Sequence, residues 1–143
     1  MARRRKPPLL LGLRHVALRV RKMAAARAFY EGFLGFRVVW SPDPDSVYLT
    51  SGTDNLALHQ MPPQAAARPR AVGQALDHLG LLVGSPRAVR ALAKSCAKAG
   101  VTILKSPRRH RDGSYSFYMA DPERNVIQIL YEPTLSRQRL QYG

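Results

Sequence analysis

Cysteine is almost missing from this sequence: Cys96 is the single one in 143 residues. One cysteine closes no internal disulfide and builds no thiolate metal cluster, which points to a reducing, cytoplasmic setting. Long apolar runs are missing too. The opening "MARRRKPPLLLGL" joins a basic start to a few leucines, but the run stops at Arg14 without a small-residue cleavage site. Nowhere is there the stretch of roughly 20 apolar residues that crossing a bilayer requires. A soluble protein with no membrane partner is expected. Acidic residues are scarce, nine Asp and Glu against 23 Lys and Arg, for a formal net charge of +14. Such a field draws anions. The basic residues are scattered, however, and come with neither paired RNA-binding aromatics nor a helix-turn-helix pattern. Nucleic acid is therefore not the expected partner, and a small anion suits the charge better.

A chain of this length holds one compact domain or two half-sized units sharing a core. It contains one stretch nearly twice: "RHVALRV" at 14–20 and "DHLGLLV" at 77–83, each alternating and each with histidine second. After the first comes "KMAAARAFYEGFLGF", where Ala26, Phe29, Tyr30 and Phe33 recur at 3, 4 and 7, with Gly35 placed for a left-handed C-terminal cap. After the second comes "SPRAVRALAKSCAKAGV", with Ser85 and Pro86 suited to open a helix, Val89, Leu92, Ala93 and Cys96 repeating the spacing, and Gly100 closing it. Cys96 thus reads as core rather than nucleophile. Strand-like runs follow in both halves: "FRVVW" and "VTILK", each leading into Ser-Pro, then "SVYLTSG" and "SYSFYMADP", then "NLALHQMP" and "NVIQILYEP".

Each half therefore reads strand, helix, strand, strand, strand. The expected division is a basic tail (1–11), a first βαβββ module (12–61), a Pro- and Ala-rich linker (62–75), a second module (76–133) and a C-terminal tail (134–143). The expected fold is α+β, with two curved mixed sheets enclosing a cavity and helices outside. Val16, Leu18 and Val20 share one strand face while His15, Ala17 and Arg19 share the other; Leu79, Leu81 and Val83 likewise oppose His78, Gly80 and Leu82. Both histidines point away from the helix side.

On these stretches, with "SFYMADPERNVIQILYEP" similar to the ending FYxxDPxGNxIE, the sequence resembles the vicinal oxygen chelate superfamily of glyoxalase, bleomycin-resistance, fosfomycin-resistance and extradiol dioxygenase proteins. The resemblance covers about residues 12 to 133. In metal-using members, the first and last strands of each module supply ligands to one divalent ion. Carried over, those positions fall on His15, His78 and Gln128, the last replacing the usual glutamate. Keeping the apolar face intact puts the fourth position on Ala57, which cannot ligate; His59 lies two residues further on the same face. The resemblance implies a divalent cofactor, with zinc, nickel, manganese, cobalt and iron equally admissible, or none, and commonly a homodimer.

Two imidazoles and an amide oxygen can hold a divalent cation with positions left for water and substrate. Replacing the carboxylate leaves the ion's charge less compensated. The function implied is a metal-dependent lyase or isomerase, less readily a dioxygenase, acting on a small oxygenated, anionic molecule. The alternative is a metal-free small-molecule binding protein of bleomycin-resistance type. Glu132 and His59 are the candidate catalytic bases. Arg19, His110, Arg111, Tyr115 and Tyr118 are candidate substrate contacts. The segment "RRHRDGSYSFY" is about five residues longer than its counterpart, and reads equally as an anion-recognising flap or as a plain hairpin turning at Asp112-Gly113.

Overall fold

The computed structural model describes residues 13–69 and 76–136. The basic tail, residues 70–75 of the linker and residues 137–143 lie outside the described residues. The first half contains β1 (His15–Val20), α1 (Met23–Arg27) continued by a π-helical stretch (Ala28–Phe33), β2 (Arg37–Asp43), β3 (Ser46–Thr50) and β4 (Asn55–Gln60). After the short helix α2 (Pro63–Ala66), the second half repeats the order with β5 (Leu79–Leu82), α3 (Pro86–Ala99), β6 (Ile103–Arg109), β7 (Tyr115–Ala120) and β8 (Val126–Tyr131), then α4 (Pro133–Ser136). The linker thus carries a helical turn that its composition did not announce, opened by Pro62-Pro63 in the positions a first turn accepts.

Each half forms a four-stranded mixed sheet, in the orders β1-β4-β3-β2 and β5-β8-β7-β6. In each, the first strand runs parallel to the last and the remaining pairs are antiparallel. Strands β2 and β6 are outer edges, and both continue through the Ser-Pro steps where the sequence suggested an end. The ladder breaks register between Trp40 and Asp43 and between Lys105 and Arg108, the intervals that hold Pro42 and Pro107. A proline donates no ladder hydrogen bond, so it is tolerated at such edge bulges.

The second-module helix matches its sequence signals closely. Ser85 Oγ accepts from Ala88 N at 3.1 Å, Pro86 opens the first turn, and Gly100 takes the left-handed conformation at φ 71°. Val89, Ala93 and Cys96 are buried. The first-module helix departs from the regular form that its spacing predicts. Its later part widens to a π turn, with Leu34 N donating to Phe29 O at 2.9 Å. That widening accompanies the burial of both Phe29 and Tyr30, and the Tyr30 hydroxyl donates to Asp121 Oδ2 of the second module at 2.7 Å.

Helix α1 has no cap from its own N-cap side chain. Instead Glu123, on the β7–β8 turn, accepts from Arg21 N at 2.5 Å and Lys22 N at 3.0 Å, and its other oxygen lies 3.5 Å from Arg21 Nη1. Gln60 Oε1 accepts from Met23 N at 3.1 Å. The amides of Arg21 and Lys22 that lead into the first module's helix are thereby satisfied by the other module, and that of Met23 by the first module's own Gln60. The helix-facing strand residues, among them Leu18, Val20, Leu49, Leu58, Phe117, Met119, Ile127 and Ile129, form one apolar cluster with both helices. The modules share that core, which leaves the histidine-bearing faces of both sheets outside it.

Candidate functional site

Pairing registers fix which side chains share those outer faces. Parallel pairing of β1 and β4 sets His15 opposite Asn55, Ala17 opposite Ala57 and Arg19 opposite His59. In the second sheet Gly80 pairs with Gln128, so Gln128 lies two positions beyond His78 as Ala57 lies two beyond His15. Across the antiparallel pairs, Tyr48 faces Ala57 and Tyr118 faces Gln128. Ser46 and Ser116 take equivalent places one step along. The tripeptides "SVY" and "SFY" repeat at those positions, and were the available signal for these two serines.

Three candidate donors have their second polar atom engaged. His15 Nδ1 lies 2.8 Å from Asn55 Oδ1, and His78 Nδ1 lies 2.6 Å from Asp77 Oδ2. Both partners are oxygen acceptors, so in the neutral ring Nδ1 carries the proton and Nε2 keeps its lone pair, the form in which an imidazole ligates a metal. Gln128 Nε2 donates to Ser116 Oγ at 3.1 Å, while its Oε1 lies over Gly80, 3.9 Å from where a Cβ would stand. The donor set therefore fits a divalent ion through two imidazole nitrogens and an amide oxygen. Among the described residues no three His, Cys, Asp or Glu side chains gather into a metal-holding group, so a site without Gln128 has too few donors.

His15 and Gly80 line one cavity of about 130 Å³, with Asn55 and Leu56 from the first sheet and Leu79 and Leu81 from the second. The edges β1 and β5 thus approach each other beside His15, while His78 and Gln128 stand outside the lining of this cavity. No hydrogen bond or ring contact joins the two histidines directly among the described residues. The His78 ring stands edge-on to Tyr118 at 5.6 Å, and Lys105 Nζ lies 5.3 Å from that tyrosine's centroid. On the first sheet the Tyr48 ring contacts Trp40 at 5.1 Å and His59 at 5.8 Å, and Ser46 Oγ lies 3.2 Å from His59 Nδ1. Trp40 is 59% exposed, and Arg19 extends the same face into solvent.

The longer segment forms a hairpin. His110 N donates to Ser114 O and Gly113 N to His110 O, with Gly113 at φ 86°. Hydrogen bonds from Ser114 lead the causes that hold the Asp112 carboxyl below its usual range. His110 Nε2 folds onto the sheet face, 2.8 Å from Ser116 Oγ, while Arg111 stays exposed. Tyr115 lies on the opposite, helix-facing side, its ring centroid 5.6 Å from the Arg90 and 5.8 Å from the Arg109 guanidinium carbon. The structure does not bring it to the histidine face, because strand alternation puts neighbours Tyr115 and Ser116 on opposite sides. Glu132 caps α4, accepting from Leu135 N at 2.8 Å and from the Thr134 hydroxyl. Burial pushes the Cys96 thiol up, which suits a core residue.

Comparison with known proteins agrees with this architecture. No curated protein matches the chain. A lactoylglutathione lyase from Agrobacterium tumefaciens superposes with a TM-score of 0.70 at 24% identity, covering 91% of this chain and 98% of that one. A glyoxalase/bleomycin resistance protein/dioxygenase family enzyme from Burkholderia phytofirmans PsJN gives 0.67 at 25% identity, covering 81% and 94%. A glyoxalase-related enzyme from Fulvimarina pelagi gives 0.69 at 19%, covering 87% and 90%. These likenesses speak to fold. Residues 12–129 match the family model itself, and with that match the chain belongs to the glyoxalase/bleomycin resistance protein/dioxygenase superfamily.

Proposed function

We propose that this protein is a metal-dependent lyase or isomerase acting on a small oxygenated, anionic molecule, with a divalent ion held by His15, His78 and Gln128. The observation that carries this reading is the state of the three donors: each has its non-ligating atom held by a neighbour, Asn55, Asp77 and Ser116 respectively. A bound divalent ion supplies Lewis acidity toward a substrate oxygen. The chain's own groups would do the rest. His59, braced through Nδ1 by Ser46, takes and returns a proton at Nε2. Glu132 serves the same end only by giving up its cap on α4. Arg19 and Lys105 draw an anion toward the faces, and Tyr118 presents an edge to it. Ferrous dioxygenase chemistry fits less well, because its usual two-histidine set includes a carboxylate that Gln128 does not provide.

Elemental analysis of protein purified without added metal, followed by titration of the metal-free chain, tests the reading. Binding of about one equivalent, abolished by His78→Ala, is the expected result. Neither native metal nor uptake on titration would sink it. One observation favours a second reading, metal-free capture of a planar ligand: the exposed Trp40 ring set against Tyr48. Stabilisation by aromatic anions in excess chelator would support that reading.

A further inference from the structure

Gln128 is an amide where the superfamily's ending carries a carboxylate, and only one end of an amide can hold a cation. Something must decide which end faces Gly80. Gln128 Nε2 donates to Ser116 Oγ at 3.1 Å, and that oxygen stands 2.8 Å from His110 Nε2. A serine hydroxyl has a single proton. This arrangement takes the His110 tautomer protonated on Nδ1: Nε2 then accepts the Ser116 proton while Oγ accepts from the glutamine, so none is left to attract Gln128 Oε1. Ser116 is 1% exposed, which keeps solvent from competing. The amide oxygen is left over Gly80, on the strand that follows His78.

We infer that Ser116 and His110 are positioning residues that lock the Gln128 amide with its oxygen toward the ligand position. The inference rests on the metal reading above. It gives the longer β6–β7 hairpin a role, since that extension is what carries His110 back to Ser116. In the first module the turn is short, Ala57 needs no orienting, and Ser46 meets His59 from the neighbouring strand instead. A carboxylate at position 128 would need no such lock, because its two oxygens are equivalent.

That equivalence supplies the test. Co2+ affinity is measured on the metal-free full-length chain and on Ser116→Ala and His110→Ala, each with and without Gln128→Glu. Both substitutions should weaken binding by about tenfold or more in the glutamine background, the usual scale for groups that orient a ligand. With Gln128→Glu present, each should change it by less than about twofold. His110→Ala touches neither Gln128 nor the ion, and it keeps the test open if Ser116→Ala does not fold. Equal losses in both backgrounds, or no loss with glutamine, overturn the inference. If neither the chain nor Gln128→Glu takes up Co2+, the metal reading fails and the lock is decided by NMR. In the metal-free 15N-labelled chain the Gln128 side-chain amide, identified by its disappearance in Gln128→Glu, should exchange slowly and lose that protection in His110→Ala. Fast exchange in the unaltered chain overturns the lock.

Discussion

Two positions beyond the histidine, the first sheet offers Ala57 and the second Gln128; beside them stand Tyr48 and Tyr118, then Ser46 and Ser116. The backbone register is the same in both halves, and the chemistry has moved apart. The first face is an aromatic wall of Trp40, Tyr48 and His59. The second is a polar wall in which Lys105 takes the place of Trp40 across from the tyrosine and Leu130 the place of His59 across from the serine. Register is held by the buried face of each strand, so the outer face can change side chain by side chain without a slip. Duplication thus yields two unlike walls from one scaffold.

The sharpest test of that comparison is whether both walls serve one ion. His15→Ala, from the first module, and His78→Ala or Gln128→Ala, from the second, should each reduce Co2+ affinity by at least about 100-fold, more than outer contacts usually contribute. If calorimetry finds His15→Ala neutral while the others abolish binding, the modules do not share a site. The two helices differ next. Glu123→Ala strips the first helix of a cap supplied by the other module and should cost about 2–3 kcal/mol; Ser85→Ala removes a local cap from the second and should cost about 1 kcal/mol. Urea midpoints at constant slope would read the contrast, and equal costs would show that the capping bond across the modules is worth no more than a local one.

The turns before the last strands differ in sign. Arg124 sits at φ 65°, where the similar family ending has glycine. Arg124→Gly should therefore stabilise by about 1 kcal/mol, whereas Gly52→Ala, at φ 139° in the first module, should destabilise by a similar amount. The smallest expected change is Trp40→Ser, within about 0.5 kcal/mol in stability because the ring is largely exposed. Its effect should instead appear as lost stabilisation by a planar anion in a thermal-shift series.

The fold was legible because two kinds of periodicity recur in each half, and because Ser85 and Gly100 punctuate α3 by local rules. What escaped was long-range. Glu123 lies 102 residues from Arg21, and no local pattern relates a turn residue to amides at that distance. The π turn hides inside a spacing that a regular helix would also satisfy, and the decisive Tyr30 contact is with Asp121 of the other module. At the site, alternation sorted His15, His78, Gln128 and Tyr118 onto outer faces, but their partners depended on register and on a hairpin whose direction alternation does not set. Tyr115, named beside Tyr118 as a substrate contact, precedes Ser116 by one residue and packs against the core side.

The prolines in β2 and β6 bear on how this molecule stays separate from its copies. A duplicated sheet has four open edges, each a row of unpaired amides able to template another chain. Two of them, β1 and β5, turn toward each other across the shared cavity. The other two carry Pro42 and Pro107 at register breaks, where an incoming strand finds a missing donor and a bent ladder. Strand addition is thereby disfavoured at the outer edges of both halves by the same Ser-Pro step.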